Sequence, residues 1–143
     1  MDKKMQKETC VILAVDDMGL NLRTIKLALE ESFTVRLVKA GDLALSIVEK
    51  EKIDLILLDI EMPGMSGFDF MKDLKAKVNE HPPVIFVTAH ATPELLVRAK
   101  AAGAVGYVLK PFDPDVLRKK VYEALGLPAP VPVAKAGQAK QGE

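Results

Sequence analysis

The chain has 143 residues, 49% of them hydrophobic and 28% charged, enough for one domain with a full apolar core. Lys plus Arg and Asp plus Glu both number 20, so no overall field draws it to nucleic acid or to an acidic membrane. The single Cys10 excludes an internal disulfide and a cysteine-built zinc site, and no apolar stretch approaches the ~20 residues of a membrane span.

Residues 1–9, MDKKMQKET, carry charge with no following apolar segment and cleavage site. They read as an N-terminal extension rather than a signal peptide, and a cytoplasmic protein is expected. Cys10 then opens the first of five apolar runs as a small hydrophobe. The runs are CVILAV (10–15), FTVRLV (33–38), LILL (55–58), VIFV (84–87) and AVGYVL (104–109). Helix-like segments separate them, the pattern of parallel strands buried on both faces.

The first helix is expected from about Leu20 to Glu31, with Leu22, Ile25, Ala28 and Leu29 on one face. The second spans about Asp42 to Lys50, with Ala44, Ile47 and Val48 inward. Residues 61–67, EMPGMSG, form a loop by their Pro and Gly content. The third helix buries Met71, Leu74 and Val78 and stops before His81-Pro82-Pro83, where His81 is a loop residue. Thr92-Pro93-Glu94 caps a fourth helix that runs to about Ala102, and Asp113-Pro114-Asp115 repeats the device for a fifth, ending near Leu125-Gly126. Residues 10–127 thus make one domain of five βα units. Residues 128–143, with prolines and no apolar periodicity, read as a tail or linker.

Four of the five runs end in polar residues of particular kinds. Asp16-Asp17 follow the first, Asp59 the third, Thr88 the fourth and Lys110-Pro111 the fifth. In an open parallel α/β sheet the carboxyl ends of the strands form the binding edge, so these side chains would meet there. Each alone reads as a turn, cap or strand-end residue; together they form a pattern. Three converging carboxylates repel unless a cation or proton intervenes, and oxygen ligands favour a hard ion such as Mg²⁺. Lys110 adds a positive charge and Thr88 a hydroxyl donor. Such a pocket suits a phosphoryl group, with a carboxylate oxygen as nucleophile.

The motifs VDD (15–17), LLDIEMPGMSG (57–67), VTA (87–89) and GYVLKPF (106–112) resemble, in order and spacing, the receiver domain of two-component response regulators. The resemblance covers about residues 10 to 126 and matches receivers of the stand-alone, single-domain type. It implies a flavodoxin-like (βα)5 fold with strand order 2-1-3-4-5 and helices on both faces. It further implies that Asp59 is the phosphoacceptor and that Asp17 binds Mg²⁺ directly, with Asp16 acting through water. The backbone carbonyl of Glu61 would complete the protein's ligands. Lys110 would pair with the phosphoryl oxygens, aimed by a cis Lys110-Pro111 peptide, and Thr88 would reach toward them. Tyr107 occupies the place of the family's switch aromatic, and small Ala89 leaves the pocket accessible. Glu61 and His90 stand where the family tunes the lifetime of the acyl phosphate.

The implied role is a phosphoacceptor switch rather than a turnover enzyme, fed by the phosphohistidine of a sensor histidine kinase or phosphotransfer protein. No helix-turn-helix, nucleotide loop or cyclase segment is present, so output through protein contact is expected, with no direct nucleic-acid binding and no membrane insertion. The fourth helix, fifth strand and fifth helix would offer a face to a target or to a second copy. Of the consecutive Leu95, Leu96 and Val97, two are expected inward and one outward. Arg118-Lys119-Lys120 reads as a solvated face. Two other readings stand beside this one. A phosphatase of the haloacid-dehalogenase type would use Asp59 as nucleophile and Glu61 as general acid, but the chain has no cap insertion over the pocket. A degenerate receiver would serve only as an interaction module, but it would not need the whole polar set.

Overall fold

The computed structural model of the chain describes residues 10–128; residues 1–9, read above as an extension, and 129–143 of the segment read as a tail or linker lie outside the described residues. Five strands alternate with five helices: β1 (Val11–Val15), α1 (Gly19–Leu29), β2 (Thr34–Val38), α2 (Gly41–Lys50), β3 (Leu55–Asp59), α3 (Gly67–Lys77), β4 (Val84–Thr88), α4 (Pro93–Ala102), β5 (Gly106–Leu109) and α5 (Pro114–Leu125). The strands form one parallel sheet in the order β2-β1-β3-β4-β5. This is the flavodoxin-like architecture that the resemblance implied.

Side chains alternate across a strand with a period of two, so each inner strand feeds two cores. Leu13 and Val15 of β1 join Leu45 of α2, Phe70 and Leu74 of α3 and Ala99 of α4 on one face. Ile12 and Ala14 join Ile25 and Leu29 of α1 and Leu117 and Val121 of α5 on the other. The helix ends follow local chemistry. Thr92 accepts from the Leu95 amide and Asp113 from the Asp115 amide, each with proline opening the helix. Gly103 and Gly126 close α4 and α5 in the left-handed region.

Burial on both faces holds for β1, β3 and β4 but not for the outer strands. Leu37 of β2 and Tyr107 and Leu109 of β5 are exposed, because an edge strand has one neighbour and less helix above it. The expected helix bounds shift at the ends: α1 starts at Gly19 and stops at Leu29, with Glu30 as its cap. In α2, Leu45 is buried where Ile47 is only partly so. In α3, Phe70 is fully buried, and Val78 is a half-buried cap just past the helix. Leu95 and Leu96 are half-buried and Val97 is exposed, as their spacing required. Arg118 is no solvated residue: its side chain is 13% exposed, pairs with Asp115 and donates to the Ala28 carbonyl at 2.9 Å. It ties α5 to α1.

Candidate functional site

Strand register sets the geometry of the site. Val15 lies beside Leu58, Asp59 beside Val87, and Thr88 beside Leu109, so all four inner and outer strand ends finish level at one edge. Asp16 follows β1 directly, Asp59 closes β3, Thr88 closes β4 and Lys110 follows β5. Carboxylate oxygens of Asp16, Asp17 and Asp59 lie within 4.8 Å of one another. The Lys110 ammonium stands 2.9 Å from Asp16 Oδ2 and 3.1 Å from Asp59 Oδ1. The Lys110–Pro111 peptide is cis.

This cluster is enclosed. Asp16 is 1% exposed and Asp59 5%, while Asp17 is partly open to solvent. Burial pushes the Asp59 carboxyl above the usual carboxylate range, and the charge of Asp16 adds to the rise. The Lys110 hydrogen bond and charge, with the Glu61 amide, work against it without cancelling it. For Lys110, burial works to lower the ammonium's pKa, but hydrogen bonds and charges from Asp16 and Asp59 outweigh it and raise the group above its ordinary value. Three carboxylates around one ammonium leave two formal negative charges uncompensated. An all-oxygen donor set with that deficit fits a hard divalent cation.

Local hydrogen bonds fix the ligand side chains. The Met18 amide donates to Asp16 Oδ1 at 2.9 Å and the Asn21 side-chain amide to Asp16 Oδ2 at 3.2 Å, which turns Asp16 over the start of α1. The Glu61 amide donates to Asp59 Oδ1 at 3.3 Å. Behind Asp59, the Gly67 amide donates to the Ile60 carbonyl at 2.7 Å and draws the first turn of α3 against the end of β3. Sequence reasoning named neither Met18 nor Asn21; an amide side chain one helical turn past an Asp pair was the available signal.

Thr88 is buried, and its hydroxyl is engaged by the His90 backbone. It donates to the His90 carbonyl at 3.1 Å and accepts from the His90 amide at 3.0 Å. His90 Nδ1 lies 3.1 Å from Glu61 Oε2, joining the β3–α3 and β4–α4 loops across exposed ground. Tyr107 is 38% exposed and borders a cavity of about 300 Å³ between α4 and β5, lined also by Leu96, Ala99 and Ala104. Ala89 is exposed, and Cys10 is half-buried against the α1–α5 core with its thiol pushed up by burial. No helix among the described residues is long and apolar enough to cross a membrane.

The comparisons agree with this geometry. Over 113 residues the chain is 36% identical to the chemotaxis protein CheY of Pseudomonas aeruginosa, a match covering 77% of this chain and 91% of that one. It is also 36% identical over 117 residues to sporulation initiation phosphotransferase F of Bacillus subtilis, covering 81% and 94%. A probable cyclic di-GMP phosphodiesterase of Vibrio cholerae is 38% identical over 117 residues, but the chain spans only 26% of it. Among solved structures, the Vibrio cholerae chemotaxis protein CheY4 superposes with a TM-score of 0.76 at 31% identity, covering 82% of this chain and 99% of that one. A CheY-like receiver domain protein from Methanospirillum hungatei gives 0.76 at 32%, covering 83% and 95%. Residues 12–122 match the response regulator receiver domain, and the chain belongs to that family.

Proposed function

We propose that this receiver is a phosphoacceptor switch in which Asp59 takes the phosphoryl group from a phosphohistidine of a sensor histidine kinase or phosphotransfer protein. The observation that carries the reading is the Lys110 ammonium bridging two buried carboxylates beside a third. Asp16, Asp17, Asp59 and the Glu61 backbone carbonyl would hold Mg²⁺, which would supply positive charge against the phosphoryl oxygens. A carboxylate oxygen of Asp59 forms a bond to phosphorus as the phosphorus–nitrogen bond breaks, and the electron pair returns to the imidazole. Lys110, already held at the pocket, orients and neutralises the phosphoryl oxygens.

The same reaction sets the switch. Thr88 exchanges its bonds to the His90 backbone for a phosphoryl oxygen, and the β4–α4 loop moves with it. Tyr107 then turns inward against α4, where the cavity beside it provides room. The changed face of α4, β5 and α5 meets a protein target or a second copy of the chain. The domain proper runs from residue 10 to 127, with 1–9 as an extension and 128–143 as a tail or linker. The role is that of a cytoplasmic signalling switch that transfers phosphate to itself and loses it again, not of a multiple-turnover enzyme.

Intact-mass analysis tests the reading. Incubation with Mg²⁺ and acetyl phosphate should add one phosphoryl group to the wild type, lost on chelation and absent from Asp59→Asn. Failure to form an adduct with acetyl phosphate, together with failure to bind beryllium fluoride, would refute it.

A further inference from the structure

A second feature opens directly onto the pocket. Between the β3–α3 loop and α4 runs a groove of about 610 Å³ whose rim includes Asp17 and Glu61. Its floor is apolar: Met62, Phe68 and Leu95 pack against the core beneath, and Pro63 lies beside them. Its far wall is Arg98 of α4, whose guanidinium carbon sits 4.0 Å above the centre of the Phe68 ring. Phe68 is in turn braced edge-on by the buried Phe86, with ring centres 5.3 Å apart. Within the described residues Arg98 has no carboxylate at ion-pair distance, unlike Arg36 and Arg118. A planar cation is thus fixed in place by an aromatic face with its hydrogen-bond donors unspent.

We propose that this groove seats the acyl part of a small-molecule phosphodonor, and that the site favours acyl phosphates with an apolar, flat acyl group carrying a second carboxylate. This rests on Asp59 being the phosphoacceptor. The size suits a ligand pocket rather than a water site, and an apolar floor with a few convergent polar groups is the usual recognition pattern. Charge complementarity selects the second carboxylate. Asp17 and Glu61 at the near end repel an anion, while Arg98 at the far end attracts one, so an extended donor with its distal charge outward is preferred over a compact one. In the transfer, an oxygen of Asp59 bonds to phosphorus as the bond from phosphorus to the acyl oxygen breaks. The electron pair leaves with the carboxylate product, and no proton moves.

The test compares initial labelling rates with acetyl phosphate, benzoyl phosphate and 4-carboxybenzoyl phosphate under saturating Mg²⁺, read by intact mass. In the wild type, 4-carboxybenzoyl phosphate is expected to outpace benzoyl phosphate by about fivefold, the upper scale of one ion pair to an exposed arginine. Arg98→Gln should bring that ratio to about one. Leu95→Ala should instead lower the ratio of benzoyl to acetyl phosphate, by about threefold for the lost apolar contact. Each ratio is read on one preparation, so a fraction of unfolded variant cancels from it. Labelling by all donors with ratios that neither substitution changes would overturn the donor seat alone and leave the groove to a protein surface. No labelling by any donor, together with failure to bind beryllium fluoride, would overturn the phosphoacceptor reading with it.

Discussion

Asp59 holds its charge at a cost to the folded state. Its pKa is raised in the native structure, so the native protein binds a proton more readily than the unfolded chain does. That cost is full above the folded pKa and disappears as pH falls through it toward the ordinary carboxylate range. In buffer freed of divalent metal, Asp59→Asn should therefore raise stability at neutral pH. The gain should shrink on acidification, as urea unfolding at several pH values would show. Lys110 has the opposite sign. Its raised pKa contributes stability that is complete below the unfolded lysine value and lost as pH rises through the folded one. Lys110→Met leaves Asp16 and Asp59 buried without their cation and should cost about 2–4 kcal/mol, measured in the same unfolding series. These residues were legible in the sequence because each sits directly after an apolar run. Arg98 and the Glu61–His90 pair were not, since they meet across loops and helices that no local pattern aligns.

Two glycines separate what the elements do for the site from what they do for the fold. A Cβ on Gly67 would lie 2.9 Å from both the Asp59 carbonyl oxygen and the Ile60 Cα, backbone atoms that must themselves move. Gly67→Ala should cost about 1–3 kcal/mol and slow phosphoryl labelling, because the displaced segment carries Asp59. A Cβ on Gly103 would meet the end of the flexible Lys75 side chain at 3.2 Å and Met71 Cε at an ordinary 3.7 Å, but the residue sits at φ +101°. Gly103→Ala should cost about 1–2 kcal/mol for its left-handed backbone and leave labelling intact. Thermal unfolding paired with intact mass distinguishes the two. The sequence placed Gly67 in a loop by its Pro and Gly content and did not single out Gly103; the close approach at Gly67 was hidden because it exists only once α3 is folded onto β3. Caps were easier: Thr92-Pro93 and Asp113-Pro114 act within a few residues of themselves, and they read correctly. Edge exposure in β2 and β5 was illegible for the converse reason. An apolar run has the same composition whether it pairs on one side or two, and strand order came from the family resemblance rather than from the runs.

At the scale of the molecule, two packed cores flank the sheet while its carboxyl edge collects the charge, and one loop pair, β3–α3 with β4–α4, is joined through Glu61 and His90. A ligand that binds the native state alone shifts its stability by mass action. Mg²⁺ with beryllium fluoride at a hundredfold excess over its dissociation constant should add about 2.7 kcal/mol, or roughly 10 °C in Tm. The internal probes are favourable, since the chain has two tyrosines and no tryptophan. Tyr122 is 5% exposed, packs edge-on against Phe33 and bonds to Ser32, so the solvent-accessible tyrosine signal belongs to Tyr107. Acrylamide quenching of tyrosine fluorescence should fall when the two ligands are added together and not with Mg²⁺ alone, as Tyr107 turns into the space beside α4. Tyr107→Phe should keep the rise in Tm and lose the quenching response, whereas Asp59→Asn should lose both. A full rise in Tm with undiminished quenching would mean that the pocket fills without moving Tyr107. The signal would then have to leave through the β4–α4 loop instead, where Thr88 and His90 are already joined.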